Sequence, residues 1–291
     1  MNWRDVRDCI IHLRLNFQIF LAPIFLLGYV VAGGSIGRDF VLGFLAFHLF
    51  GYAGGTAYNS FYDRDEGPIG GLEHPPPIPR GLLPFSLGWQ IIGFGMALTV
   101  NLPFAFIYTI MFALSMAYSH PRTRFKGKPV AALATVALGQ GVLGYLGGWA
   151  CARGDIVSAL TFDGLLGALA VTLITVGFYP LTEIYQIEED RRRGDRTLAL
   201  WLGPAGSFRF ALACLSAGGL AALVLILRRY QTAEVLVLSA LFLIVLTVIL
   251  RWSRSFQPDQ VIRNFRTAMG LYAATSLGFI AWLGLHLARV L

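Results

Sequence analysis

Asn59-Ser-Phe-Tyr-Asp63-Arg-Asp65-Glu66 is the most acidic run in the first half of a very apolar chain. It follows a hydrophobic segment of almost no charge, from about residue 40 to residue 58. Carboxylates therefore sit at the end of what reads as a membrane span. On a continuous helix, Asn59, Asp63 and Glu66 fall at about 0°, 40° and 340°, within one narrow sector. Charged groups in or beside a membrane segment are costly, so they mark a functional site. Three oxygen-bearing side chains on one face suit a hard cation such as Mg²⁺, which in turn suits a phosphate.

The rest of the chain supports the membrane reading. Of 291 residues, 56% are hydrophobic and 13% charged, against roughly 25% charged in a soluble domain. Long apolar runs, rather than alternation, make the class all-α: a multi-pass bundle of nine transmembrane helices with cytoplasmic cap loops. The expected spans are 15–34, 40–58, 85–101, 103–119, 130–150, 162–182, 207–227, 233–251 and 267–288. A tight turn near Asn101-Leu-Pro103 separates the third from the fourth. Short connections and uniform composition predict a single domain over residues 1–291. Residues 1–14 carry both signs of charge and lead directly into a full span, so no cleavable leader is expected. Cys9, Cys151 and Cys214 lack metal or redox spacing and read as small apolar residues.

The 23 Lys and Arg residues divide 18 to 5 between the two membrane faces, the majority on the side of the N-terminus. That asymmetry predicts a cytoplasmic N-terminus and a C-terminus outside. It also accounts for the net charge of +7 without nucleic acid. The connections after spans two, four and six then share the cytoplasmic face, and these three carry unusual chemistry.

The first continues from Glu66 through Gly67-Pro-Ile-Gly-Gly71 to His74-Pro-Pro-Pro-Ile-Pro79-Arg80-Gly81. So much glycine and proline cannot extend a helix, and is expected to cap the site. The second acidic stretch, Thr182-Glu183-Ile-Tyr185-Gln186-Ile-Glu188-Glu189-Asp190, ends span six as the first ends span two. Glu183, Gln186 and Asp190 fall at about 0°, 300° and 340° on a helix, again one face. Arg191-Arg-Arg193 followed by Gly194 reads as its C-terminus. Two acidic faces on one side of the membrane can hold two Mg²⁺ ions with a diphosphate between them. The third connection, Tyr118-Ser-His120-Pro121-Arg122-Thr-Arg124-Phe-Lys126-Gly-Lys128, places four cations in seven residues, suited to a departing diphosphate. Tyr58, Phe61, Tyr62, Tyr118, Phe178, Tyr179 and Tyr185 cluster near these stretches. Aromatic faces would stabilise an allylic cation.

With these stretches assembled, the sequence resembles the UbiA superfamily of intramembrane prenyltransferases. Asn59-Ser-Phe-Tyr-Asp63-Arg-Asp65 looks like the family's first aspartate-rich motif, and Glu183-x-x-Gln186-x-x-x-Asp190 like its second. Tyr118-Ser-x-Pro121 with its basic residues resembles the family's third cytoplasmic loop. The departures are Ser60 and Gly67 in the first motif and Glu183 and Gln186 in the second, with Glu66 and Glu189 as candidates for displaced ligands. The resemblance implies Mg²⁺ held by Asn59, Asp63, Glu66, Glu183, Gln186 and Asp190. It implies Asp63, Asp190, Lys126 and Arg124 as the catalytic set, with Lys128, Arg122, Tyr118, Tyr62, Tyr179 and Tyr185 around the substrate.

The expected activity is transfer of a prenyl group from an isoprenyl diphosphate to an unknown acceptor, within the lipid bilayer. The alternatives are cyclisation of the isoprenoid without an acceptor, and binding or transport of a lipid diphosphate without chemistry. The compact chain points to a bacterial inner membrane.

Overall fold

In a computed structural model that describes residues 2–288, the described residues are almost all helical, joined by short connections. Met1 and Arg289, used above in the charge and leader readings, lie outside the described residues. Nine helices among those described are long and apolar enough to cross a membrane. They are α1 (Trp3–Val31), α2 (Arg38–Asp63), α3 (Leu82–Val100), α4 (Leu102–Ser119), α5 (Pro129–Arg153), α6 (Phe162–Thr182), α7 (Leu198–Arg229), α8 (Thr232–Ser255) and α9 (Val261–Leu287). Only helices satisfy every backbone polar group inside lipid, so apolar runs of this length fold this way.

Several bounds differ from expectation, with α2 ending at Asp63 and α9 starting at Val261, and the largest differences are at the starts of α1 and α7. An amphipathic helix, Trp3–His12, precedes the apolar part of α1 and joins it at a break on Arg14. Also, α7 starts at Leu198, bent at Gly203 and Pro204, where Gly203 takes a φ of 66°. The tight turn between α3 and α4 holds: Asn101 caps α4, its side chain accepting the Phe104 N–H at 2.9 Å.

Three local features shape the interior. α2 contains a π-helical turn over Ala46–Tyr52, and α5 another over Ala137–Leu143. Such wide turns re-aim side chains and recur at functional sites. Between α1 and α5, Gly28 and Gly148 allow backbone to meet backbone. A Cβ on Gly28 would lie 2.0 Å from the Tyr145 carbonyl oxygen, and one on Gly148 2.0 Å from that of Phe25. Small residues drive close helix approach in lipid, where no hydrophobic force acts between helices. Large apolar side chains such as Ile91, Phe106, Leu236 and Val237 are exposed on the outside of the bundle, as a lipid-facing surface requires.

The connections 64–81, 120–128 and 183–197 interlock at one end. Arg196 N–H donates to the Gly127 carbonyl at 3.3 Å, Glu66 N–H to Glu189 Oε1 at 2.9 Å, and Arg193 pairs with Asp65. Asn16 Nδ2 donates to the Gly71 carbonyl at 2.9 Å, tying the first connection to α1.

Candidate active site

α2 stops at Asp63 because Arg64 turns left-handed, with φ of 51°. The Gly67-Pro68 sequence that follows could not prolong it. Asp63 is thereby fixed as the last helical residue, buried and facing inward. α6 ends in a 3₁₀ turn over Tyr179–Thr182, around Pro180. After it, Glu183 and Gln186 sit on a turn, and a separate short helix spans Ile187–Arg193, closed by Gly194 with φ of 77°. The single helical face expected for Glu183, Gln186 and Asp190 is thus broken in two. All three residues nonetheless face one cavity.

That cavity has a volume of about 260 Å³. Its rim carries Asn59, Asp63, Asp65, Lys126, Glu183, Gln186 and Asp190. Below, it is walled by Phe47, Tyr52, Tyr108, Phe178 and Tyr272. Both π-helical turns open onto it, through Phe47, Gly51 and Tyr52 from one and Gly139 and Gln140 from the other. Ile69 and Gly70 of the glycine-rich connection also line it, so that segment does cap the site. The proline run beyond packs instead toward α1, with His12 Nε2 3.1 Å from the Pro76 carbonyl.

The rim is a charge network. Lys126 Nζ lies 2.5 Å from Asp63 Oδ2. Arg124 binds both oxygens of the buried Asp195, at 2.7 and 2.6 Å, and stands 3.7 Å from Asp63 Oδ1. Asp190 accepts from the Thr197 hydroxyl at 3.0 Å, and Glu183 from the Ala199 N–H at 3.2 Å. Burial pushes the Glu183 carboxyl up to about 7 and that of Asp190 up to about 6, since desolvation disfavours the charged form. Asp195 holds the Arg124 guanidinium above its ordinary value.

These carboxylates fit a cation. Asp63 Oδ1 is buried with no hydrogen-bond donor. Among the described residues no three His, Cys, Asp or Glu side chains converge enough to enclose a metal ion by themselves. Mg²⁺ keeps several waters and is held by one or two carboxylates together with substrate phosphates. Asp63, Glu183 and Asp190, with Asn59 and Gln186, line this cavity and are the residues that could hold it.

The sequence profile of the UbiA prenyltransferase family matches residues 20–271. The chain belongs to the UbiA prenyltransferase family. It is 32% identical over 190 residues to digeranylgeranylglyceryl phosphate synthase of Thermococcus gammatolerans, a match covering 61% of this chain and 62% of that protein. The alignment thus spans under two thirds of the curated relative. In fold the chain is similar to a UbiA homologue from Archaeoglobus fulgidus, with a TM-score of 0.67, 18% identity, and coverage of 97% of this chain and 99% of that one. A further structure of a UbiA homologue from that organism, bound to GPP and Mg²⁺, gives a TM-score of 0.64 at 19% identity, covering 94% and 99%.

Against this UbiA fold, the predicted residues sort by backbone conformation. Asn59, Asp63, Lys126, Glu183, Gln186, Asp190, Tyr118 and Tyr179 line the cavity, and Arg124 braces Asp63 from just outside it. Glu66 does not belong with them: the left-handed turn at Arg64 takes it off the helix and leaves it exposed. Asp65 reaches the cavity in its place, paired to Arg193. Arg122 and Lys128 are also exposed and away from the cavity, because the left-handed turn at Arg124, φ 39°, sends Lys126 inward and its neighbours out. Tyr62 packs on Tyr58, Phe61 and His120, and Tyr185 on Phe265. Neither lines the cavity. Glu189, a candidate displaced ligand, is held by Arg193 at 2.5 Å and fills the space beside Gly67.

The departure at Ser60 also has a structural meaning. Ser60 accepts a 2.6 Å hydrogen bond from the buried Arg14 guanidinium. A serine there removes no carboxylate from the cavity. Arg14 itself lines the cavity, and it is not among the predicted site residues. Among the described residues, the non-glycine residues with left-handed backbone are Arg14, Arg64 and Arg124, all placed around this rim. Such conformations cost energy and persist where surrounding structure over-determines them.

Proposed function

We propose that this UbiA protein ionises an isoprenyl diphosphate and transfers the prenyl group to an acceptor, with Mg²⁺ as cofactor. The observation that carries the reading is the continuity between a carboxylate rim bearing Lys126 and an apolar aromatic chamber beneath it. A diphosphate and an isoprenyl tail need those two environments, joined end to end.

Bound Mg²⁺ would neutralise diphosphate charge and favour breaking of the allylic C–O bond. The chain's own residues supply the rest. Lys126 and Arg124 receive the departing diphosphate as fixed positive charges at the rim. Tyr118 and Tyr179, which line the cavity at the rim, supply aromatic groups beside the allylic cation. The chamber shields that cation until an acceptor nucleophile forms the new bond at the same carbon.

The similarity to a digeranylgeranylglyceryl phosphate synthase makes a glyceryl phosphate the first acceptor class to test. The asymmetry of basic residues, 18 against 5, supports a cytoplasmic site and N-terminus. The relatives are archaeal, so we place the protein in the membrane that bounds the cytoplasm rather than in a bacterial one specifically.

The test uses purified protein, Mg²⁺ and C10 to C20 allylic diphosphates, with and without glyceryl phosphates, followed by mass spectrometry of the organic extract. A prenylated acceptor is expected. A cyclic terpene formed from the diphosphate alone would replace transfer by cyclisation. Mg²⁺-dependent binding with no product under any condition would overturn both in favour of a binding protein.

A further inference from the structure

Beneath the carboxylates the chamber wall includes a stacked aromatic pair. Phe178 of α6 and Tyr272 of α9 have ring centroids 4.9 Å apart, with planes 9° from parallel. Both line the chamber, and both also line a second cavity of about 50 Å³ on the far side. That cavity is walled by Phe20, Ile24, Ile174, Ala222 and Phe279, from α1, α6, α7 and α9. Phe17, which lines the chamber, and Phe20, which lines the smaller void, both pack on Tyr272, at 6.1 and 5.6 Å. At the same level the Ser276 hydroxyl donates to the Phe20 carbonyl at 2.8 Å, pinning α9 to α1.

These rings, with Thr175 beside them, therefore line both cavities. Protein interiors are close-packed, and voids in them are few. Empty space on both faces of a single ring pair leaves those rings room on either side that an ordinary core lacks. The chamber alone is near the low end of ligand pockets, which run from about 300 to 1,000 Å³. A tail too long for it has an apolar route onward through the position of these rings, into the second cavity.

We propose that the Phe178–Tyr272 stack selects isoprenyl chain length: it closes the chamber against longer tails, and the second cavity receives the distal end of a tail when the rings part or are cut back. This rests on the isoprenyl diphosphate reading above. The pair acts on the tail, far from the bond that breaks, so it is a specificity determinant and not part of the diphosphate machinery.

The experiment measures kcat/KM for C10, C15 and C20 allylic diphosphates with Mg²⁺, using wild type, Tyr272→Ala, Tyr272→Leu and Tyr272→Phe in detergent or nanodiscs. The C20-to-C10 ratio is expected to rise about tenfold or more in Tyr272→Ala. It should rise in the same direction in Tyr272→Leu, which also serves if the alanine variant fails to fold. It should stay at the wild-type ratio in Tyr272→Phe, which keeps the ring. Adding Ala222→Phe to Tyr272→Ala refills the second cavity and should return the ratio toward wild type. An unchanged ratio in folded Tyr272→Ala and Tyr272→Leu that both turn over the C10 donor overturns the selector alone. Wild type inactive on every donor, with none bound, overturns the donor reading and this inference with it.

Discussion

The Lys126 ammonium sits 2.5 Å from Asp63 Oδ2, a carboxylate that lines the cavity rim. Both side chains are buried at the rim. In the absence of Mg²⁺, Lys126 supplies the positive charge that a buried Asp63 needs. Removing one partner of a buried ion pair costs about 3–5 kcal/mol, because the other charge is left uncompensated. Lys126→Met is therefore expected to lower the thermal midpoint measured without divalent ions. Mg²⁺ should restore most of the loss, and Mn²⁺ affinity followed by electron paramagnetic resonance should rise. Diphosphate turnover should fall about 100-fold, as for loss of a charge that stabilises the leaving group. A variant whose stability deficit is the same with and without Mg²⁺ would show that Lys126 does not stand in for the ion.

Asp63→Asn and Asp190→Asn address the carboxylates themselves. Each is expected to reduce turnover of allylic diphosphates by two orders of magnitude or more while circular dichroism keeps its helical signal. Glu66→Gln should change turnover less than twofold, since that side chain is exposed and off the cavity. Equal losses in all three would restore Glu66 to the site.

The fork between Arg124 and Asp195 orients the third connection over the rim. Asp195→Asn is expected to raise KM for the diphosphate about tenfold, with a smaller change in kcat, and to increase hydrogen exchange across residues 120–128. Arg124→Lys should not rescue function, because an ammonium cannot make the paired contacts of a guanidinium.

Titration of the rim sets a pH dependence. Burial raises Glu183 to about 7 from 4.5 and Asp190 to about 6 from 3.8. In that interval the folded protein binds more protons than the unfolded chain, so stability without divalent ions falls as pH rises. The favourable contribution is fully present below about pH 4 and lost through roughly pH 6 to 7. Mg²⁺ prefers the deprotonated carboxylates, so its stabilising effect should grow over the same interval. Glu183→Gln should flatten the upper part of both curves. Thermal melts from pH 4 to 8, with Mg²⁺ and with chelator, measure this directly. Divalent-free stability that climbs between pH 5 and 7 would contradict the assignment.

Gly28 and Gly148 hold α1 and α5 in backbone contact, each with a Cβ position 2.0 Å from an opposing carbonyl oxygen. Gly148→Ala is expected to destabilise by about 1–3 kcal/mol through forced separation of the helices. Gly88→Ala, at a position with open space, serves as the control and should leave the melting temperature within a degree or two.

The nine spans and the two acidic stretches were legible in the amino-acid order, and for one reason. A chain in lipid must satisfy its backbone internally, so runs of apolar residues become helices whatever surrounds them. Charge then has to collect at their ends, where Asn59, Asp63, Glu183 and Asp190 are found. Tertiary structure decided which residues of those stretches face inward. Arg64 and Arg124 adopt left-handed backbone that no local pattern announces, and those turns exchange Glu66 for Asp65 and choose Lys126 over Arg122 and Lys128. Arg14 meets Ser60, and Phe178 meets Tyr272, across long separations in sequence. Such contacts depend on how the helices pack. Packing is set by shape along many residues at once, and no single stretch contains it.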